Sequence, residues 1–144
     1  MKKTILIADD DASVRKALGK VLGDEGYQVI LAANDREAIE RFEFGSVDLL
    51  LLDIGLPIRN GWNTLERITS QALAFPIIIV IGKANPCDMA VAAGIGAVME
   101  KPLDVPQLLK MIEGLLDESP DARLRRLCGC IPSARQLLGP KLQG

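Results

Sequence analysis

The chain has 144 residues, of which 49% are hydrophobic and 25% are charged, and this composition is typical of one folded domain. A net charge of −2 excludes the strong positive field of a nucleic-acid-binding protein. The sequence contains no histidine, which excludes a Ser/His/Asp or Cys/His catalytic centre and argues against a zinc site. Its apolar runs are far shorter than the roughly 18 residues of a membrane span, so we expect a cytoplasmic protein.

Short apolar segments alternate along the chain with segments of helical period. The pattern predicts strands at residues 4–8, 28–31, 47–52, 77–81 and 97–99. It predicts helices at residues 12–22, 35–44, 62–70, 86–93 and 104–117. The third and fourth strands are apolar at consecutive positions, as is typical of strands that are covered by helices on both faces. The sequence therefore predicts an α/β fold of five βα units, with a parallel sheet between two helical layers.

The composition changes near residue 118. Residues 1–117 contain 12 basic and 17 acidic residues, whereas residues 118–144 contain five basic and two acidic residues. We therefore expect residues 1–118 to form the domain and residues 119–144 to form a basic C-terminal extension or linker, part of it disordered. Prolines and glycines late in this segment restrict a further helix to about residues 122–127.

Acidic residues follow two of the predicted strands, and a lysine follows a third. Asp9, Asp10 and Asp11 come after the first strand, Asp53 ends the third, and Lys101 ends the fifth. In open parallel sheets, functional groups gather at the carboxyl ends of the strands. Carboxylates that converge without histidine or thiolate favour a hard divalent ion, above all Mg²⁺. A carboxylate beside such an ion can accept a phosphoryl group, because the ion and a lysine neutralise charge on the transferring oxygens. We interpret Asp11 as the cap of the first helix.

Several motifs together resemble the receiver domain of bacterial two-component response regulators over about residues 3–117. They are ILIADDD at residues 5–11, LLDIGLP at 51–57, Asn-Gly at 60–61, Ala-Gly at 93–94 and Lys-Pro at 101–102. The resemblance implies a flavodoxin-like (βα)5 three-layer sandwich whose parallel five-stranded sheet has the order 2-1-3-4-5.

The resemblance also implies a role for each residue of the acidic cluster. Asp53 would be the phosphoacceptor, and Asp9, Asp10, Asp53 and the backbone carbonyl of Gly55 would hold Mg²⁺. Lys101 would contact the phosphoryl oxygens, and its peptide bond to the following proline would be cis. A protein of this kind assists its own phosphorylation and dephosphorylation and is not an enzyme that acts on a separate substrate.

Two positions depart from the family. The fourth strand of family members ends in Ser or Thr, whose hydroxyl binds the phosphoryl group, but this chain has Ile81. The fifth strand usually carries Tyr or Phe as the second switch position, but this chain has Val98. No Ser or Thr occurs between Ser70 and Ser119. We therefore predict that phosphorylation changes the loop at residues 82–86 less than in a receiver that carries Thr.

The resemblance implies protein partners at both ends of the signal. The phosphoryl donor would be a histidine kinase or a histidine phosphotransfer protein. The output would be contact with a downstream protein, or a homodimer, through the surface formed by residues 86–93, 97–99 and 104–117. About 27 residues after the domain are too few for a DNA-binding output domain, unless the chain is the N-terminal fragment of a longer regulator. Neither a membrane nor nucleic acid is an expected partner.

Two other functions remain open from the sequence. The atypical Ile81 and Val98 are compatible with a receiver-like interaction scaffold that works without phosphorylation. A small Mg²⁺ phosphohydrolase or a flavin-binding flavodoxin relative is the enzyme alternative. It is disfavoured because three aspartates after the first strand would repel the phosphate that a flavodoxin binds there.

Overall fold

The computed structural model describes residues 2–44, 46–54, 61–71, 75–82, 97–119 and 121–122. Its strands are β1 (Thr4–Ala8), β2 (Gln28–Ala32), β3 (Leu49–Asp53), β4 (Ile77–Ile81) and β5 (Ala97–Glu100). Its helices are α1 (Ala12–Asp24), α2 (Asp35–Phe44), α3 (Gly61–Gln71) and α4 (Val105–Asp117). The helix predicted at residues 86–93 lies outside the described residues, as does all but the first residue of the one predicted at 122–127. No helix in the described segments is long and apolar enough to cross a membrane.

The strands form one parallel sheet in the order β2-β1-β3-β4-β5, which confirms the predicted topology. The boundary of β3 differs from the prediction, because the strand begins at Leu49 rather than at residue 47 and includes Asp53. Just before it, the carboxylate of Asp48 accepts the backbone N–H of Thr4 at 2.8 Å. A side chain thus replaces the main-chain acceptor that a longer strand would offer.

Alternate residues of the strands pack on the two faces of the sheet. One buried cluster joins the strands to α2 and α3, and it includes Leu6, Leu50 and Ile79 together with Ala38 and Ile68. The other joins the strands to α1 and α4. Its buried members are Ile5, Ile7, Leu18, Leu22, Leu49, Leu51, Ile78, Val80, Met99, Leu108, Ile112 and Leu115. The continuous apolar runs of β1, β3 and β4 therefore serve two cores at once.

Capping side chains start three of the helices at the carboxyl edge of the sheet. Asp11 caps α1 and accepts the backbone N–H of Ser13 at 2.8 Å, as predicted. Asp104 caps α4 and accepts the N–H of Gln107 at 3.1 Å. Asn34 accepts the N–H of Glu37 at 2.9 Å at the start of α2. These caps satisfy N–H groups that the helices leave unpaired and fix where each chain segment leaves the sheet.

Candidate functional site

Four charged residues from three strand ends meet at the carboxyl edge of the sheet. Asp9 and Asp10 follow β1, Asp53 ends the neighbouring β3, and Lys101 follows β5. One carboxylate oxygen from each aspartate lies within 4.8 Å of the others. Lys101 Nζ lies 3.0 Å from Asp53 Oδ2 and 3.6 Å from Asp9 Oδ2. The structure thus brings together the predicted site residues, except Gly55, which lies outside the described residues.

The acid cluster, defined as Asp9, Asp10 and Asp53, is only partly open to solvent. Asp9 and Asp53 are 3% and 5% exposed, whereas Asp10 is exposed and Lys101 is half-buried. Three carboxylates around one lysine leave an excess of negative charge in a region of restricted solvation. A divalent cation would neutralise that excess.

The surroundings move the pKa values of two of these groups. Burial raises the pKa of Asp9 and the nearby charge of Asp53 adds to this, while the hydrogen bond from the Asp11 N–H opposes it. Burial lowers the pKa of Lys101, but its hydrogen bond to Asp53 and the charges of Asp53, Asp9 and Asp10 outweigh burial and raise it overall. Lys101 is therefore a permanent cation at neutral pH.

The backbone and side chain of Asp9 are held at several points. Its N–H donates to the carbonyl of Ala32 at 3.1 Å, and its carbonyl accepts Arg15 Nη1 at 2.8 Å. Its Oδ1 accepts the N–H of Asp11 at 2.8 Å. Because Oδ1 is engaged in this turn, Oδ2 is the oxygen that faces Lys101.

The donor set of the acid cluster fits a small, hard cation such as Mg²⁺. An octahedral ion with bonds of about 2.1 Å places adjacent ligands about 3 Å apart and opposite ligands about 4.2 Å apart. Carboxylate oxygens within 4.8 Å of one another come close to these separations. The exposed side chain of Asp10 leaves room for the water ligands that Mg²⁺ usually keeps.

The two atypical positions lie in apolar surroundings. Ile81, the last residue of β4, is 4% exposed and belongs to the core cluster with Leu52 and Ile79. Val98 is partly buried and packs against the same cluster. The carbonyl of Ile81 accepts the N–H of Lys101 at 2.9 Å, so the backbone here lies beside the acid cluster. Neither side chain offers a hydrogen-bond donor.

Three residues have surroundings in the structure that the sequence did not predict. Arg15 binds the Asp9 carbonyl, although only its place one turn after the Asp11 cap hinted at this. Asp35 and Thr64 are 1% and 0% exposed, and their side-chain oxygens have no hydrogen-bond partner in the described part of the chain. Both look like ordinary first-turn helix residues in the sequence, so no sequence signal marks their burial.

The comparisons with known proteins agree with this fold. The family model of the response regulator receiver domain matches residues 5–113. A CheY-like response regulator receiver domain protein from Methanospirillum hungatei superposes with a TM-score of 0.76 and 32% identity, covering 81% of this chain and 95% of that one. The chain therefore belongs to the response regulator receiver domain family of two-component systems.

Two curated relatives are regulators of transcription. The transcriptional regulatory protein DltR of Streptococcus agalactiae is 34% identical over 110 residues, which are 75% of this chain and 49% of DltR. The transcriptional regulatory protein PdtaR of Mycobacterium tuberculosis is 32% identical over 114 residues, 77% of this chain and 55% of PdtaR. This chain spans about half the length of these relatives.

The Lys101–Pro102 peptide bond is cis, as the resemblance implied.

Proposed function

We propose that this chain accepts a phosphoryl group on Asp53 from a histidine kinase or a histidine phosphotransfer protein in the cytoplasm. The observation that carries the proposal is the placement of Asp53, which is 5% exposed and 3.0 Å from Lys101 Nζ, within one acid cluster with Asp9 and Asp10. The family membership supports the same role.

In the proposed transfer, an oxygen of Asp53 forms the new bond to phosphorus as the bond from phosphorus to the donor's imidazole nitrogen breaks. Lys101 stabilises the negative charge on the phosphoryl oxygens, because its ammonium already lies at the acceptor carboxylate. Asp9, Asp10 and Asp53, with the Gly55 carbonyl, would hold Mg²⁺, which supplies further charge neutralisation. The chain is then a phosphoacceptor that assists its own reaction and is not an enzyme with a separate substrate.

Acetyl phosphate labelling tests this proposal. With Mg²⁺, intact-mass measurement should detect one added phosphoryl group on the wild type and none on Asp53→Asn. Chelating Mg²⁺ should remove the wild-type signal. Asp24→Asn is the matched control, because Asp24 is an exposed aspartate at the end of α1, and it should be labelled like the wild type. Labelling of Asp53→Asn, or no labelling of any protein, would contradict the proposed acceptor.

We further propose that the phosphorylated state changes conformation less than in receivers with a hydroxyl at the end of the fourth strand. Ile81 is buried among apolar residues and donates no hydrogen bond to a phosphoryl oxygen. The missing charge-assisted hydrogen bond is worth roughly 1.5 to 3 kcal/mol, comparable with the 1 to 3 kcal/mol typical of allosteric coupling. A phosphoryl group shifts a conformational equilibrium only by its different affinity for the two states.

Substitutions at residue 81 test the effect of a hydroxyl at the end of β4 separately from the effect of side-chain size. Thr and Val have nearly the same shape, so Ile81→Thr adds a hydroxyl and Ile81→Val controls for the smaller side chain. Adding beryllofluoride should change backbone amide chemical shifts near Gly82 more in Ile81→Thr than in Ile81→Val or the wild type. Equal changes in all three proteins would show that the hydroxyl is not what limits the response.

We also propose that the chain passes its signal on by binding a downstream protein or a second copy of itself. The alternative is a scaffold that works without phosphorylation, which the apolar Ile81 and Val98 favour. Replacing Asp53 by Ala in the host cell distinguishes them. A lost response supports phosphoryl signalling, and an unchanged response supports the scaffold.

A further inference from the structure

The turn between β1 and α1 contains a contact from a residue outside the acid cluster. Arg15 lies in α1, and its Nη1 donates to the backbone carbonyl of Asp9 at 2.8 Å. The same helix is anchored by the Asp11 cap, and the Arg15 N–H donates to the Asp11 carbonyl at 3.0 Å. Arg15 is partly buried, so its guanidinium bridges the helix and the turn where solvent competes weakly.

The contact acts on a buried member of the acid cluster. Asp9 is 3% exposed, and its Oδ1 is already bound by the Asp11 N–H, so the direction of Oδ2 depends on where the backbone of this turn lies. Without Arg15, no described donor would remain for the Asp9 carbonyl, and a buried carbonyl without a partner favours a shifted backbone.

We propose that Arg15 is a positioning residue for the cation site, because its guanidinium holds the Asp9 carbonyl and thereby directs the Asp9 carboxylate at the ion. The inference rests on the proposed function, since it concerns the Mg²⁺ that Asp9, Asp10 and Asp53 would hold. Residues that orient metal ligands commonly change metal affinity 10- to 100-fold when they are replaced.

Charge and positioning predict opposite effects of removing Arg15. If the guanidinium acted only as a positive charge near the site, its removal would strengthen Mg²⁺ binding, because like charges repel. If it positions Asp9, its removal weakens binding despite the lost repulsion. The sign of the change in affinity therefore separates the two roles.

The experiment measures Mg²⁺ binding to the whole metal-stripped chain by isothermal titration calorimetry. Arg15→Met should weaken binding about tenfold, whereas Arg15→Lys, which keeps a charge and a donor, should recover at least part of the loss. Lys16→Met is the matched control, because Lys16 is an exposed cationic neighbour on the same helix. It should bind Mg²⁺ as tightly as the wild type or slightly more tightly.

Hydrogen exchange gives a second readout that does not depend on metal. The Asp11 N–H, which donates to Asp9 Oδ1, should exchange faster in Arg15→Met than in Lys16→Met if the turn loosens. Unchanged or tighter Mg²⁺ binding by Arg15→Met, or unchanged exchange, overturns the inference alone. Failure of the wild type to bind Mg²⁺ overturns the proposed function and the inference together.

Discussion

Two buried acidic regions of this protein differ in whether their carboxylates have hydrogen-bond partners. In the acid cluster, each buried carboxylate has a hydrogen-bond donor. The Lys101 ammonium lies 3.0 Å from Asp53, and the Asp11 backbone N–H lies 2.8 Å from Asp9. At the start of α2, Asp35 is more deeply buried, and neither of its carboxylate oxygens has a partner in the described structure. Burial alone therefore does not identify a functional carboxylate, whereas convergent charged partners do.

Asp35 lies one turn before Ala38 on α2, and Thr64 lies one turn before Ile68 on α3. Ala38 and Ile68 are both fully buried in the same core cluster. Asp35 and Thr64 are themselves buried, and neither side chain gains a hydrogen bond in the described structure.

The energetic consequences of the two regions should have opposite signs. A buried polar group without a partner costs about 1 to 3 kcal/mol, whereas a hydrogen bond to a charged group contributes about 1.5 to 3 kcal/mol. Removing Lys101 should thus destabilise the protein in the acid cluster, whereas removing the carboxylate of Asp35 should stabilise it at the start of α2.

The largest effect is expected from Lys101→Met. The substitution removes the hydrogen bond to Asp53 and leaves that carboxylate beside Asp9 without the cation between them. We expect the free energy of unfolding in urea, without Mg²⁺, to fall by about 2 kcal/mol. Lys110→Met is the control on the exposed side of α4, and it should change stability by less than about 0.5 kcal/mol. Equal effects of the two substitutions would remove the contrast between the regions.

A smaller effect of opposite sign is expected from Asp35→Ala. The gain from removing an unpartnered buried carboxylate is reduced by about 0.3 to 1 kcal/mol, because an acid in the first turn of a helix interacts favourably with the helix dipole. We expect a net stabilisation of about 1 kcal/mol in thermal or urea unfolding. Asp35→Asn should give part of this gain, and Glu40→Ala, an exposed acid on the same helix, should give none. Destabilisation by Asp35→Ala would show that the carboxylate has a stabilising partner in solution.

The smallest expected effect is the pH dependence of the stability that Asp9 contributes. Burial raises the pKa of Asp9 above its ordinary value of 3.8, so its contribution to stability is present below pH 3.8 and is lost as the pH rises through the raised pKa. Without Mg²⁺, the stability of the wild type relative to Asp9→Asn should fall as the pH increases above 3.8. Added Mg²⁺ should oppose this fall, because the cation favours the ionised carboxylate. A pH-independent difference between the two proteins would contradict the raised pKa.

The fold was predictable because its main determinants are local or periodic. The apolar runs of residues 4–8 and 77–81 reproduce β1 and β4, and Asp11 and Asp104 mark the starts of α1 and α4. The convergence of Asp9, Asp10, Asp53 and Lys101 followed from parallel strands, whose carboxyl ends share one edge of the sheet. The order of the strands along the chain and their two-residue period were sufficient to predict the topology and the convergence of these charged residues.

Tertiary structure decided which side chains of these elements meet. The hydrogen bond from Arg15 to the Asp9 carbonyl depends on the reach of a long side chain across a turn. Asp35 and Thr64 are buried although neither side chain gains a hydrogen bond in the described structure. Sequence periodicity specifies the face on which a residue lies but not the distance between two helices or the path of a flexible side chain. For that reason the sequence by itself determined the topology and the charged edge of the sheet, and packing determined which acids have partners.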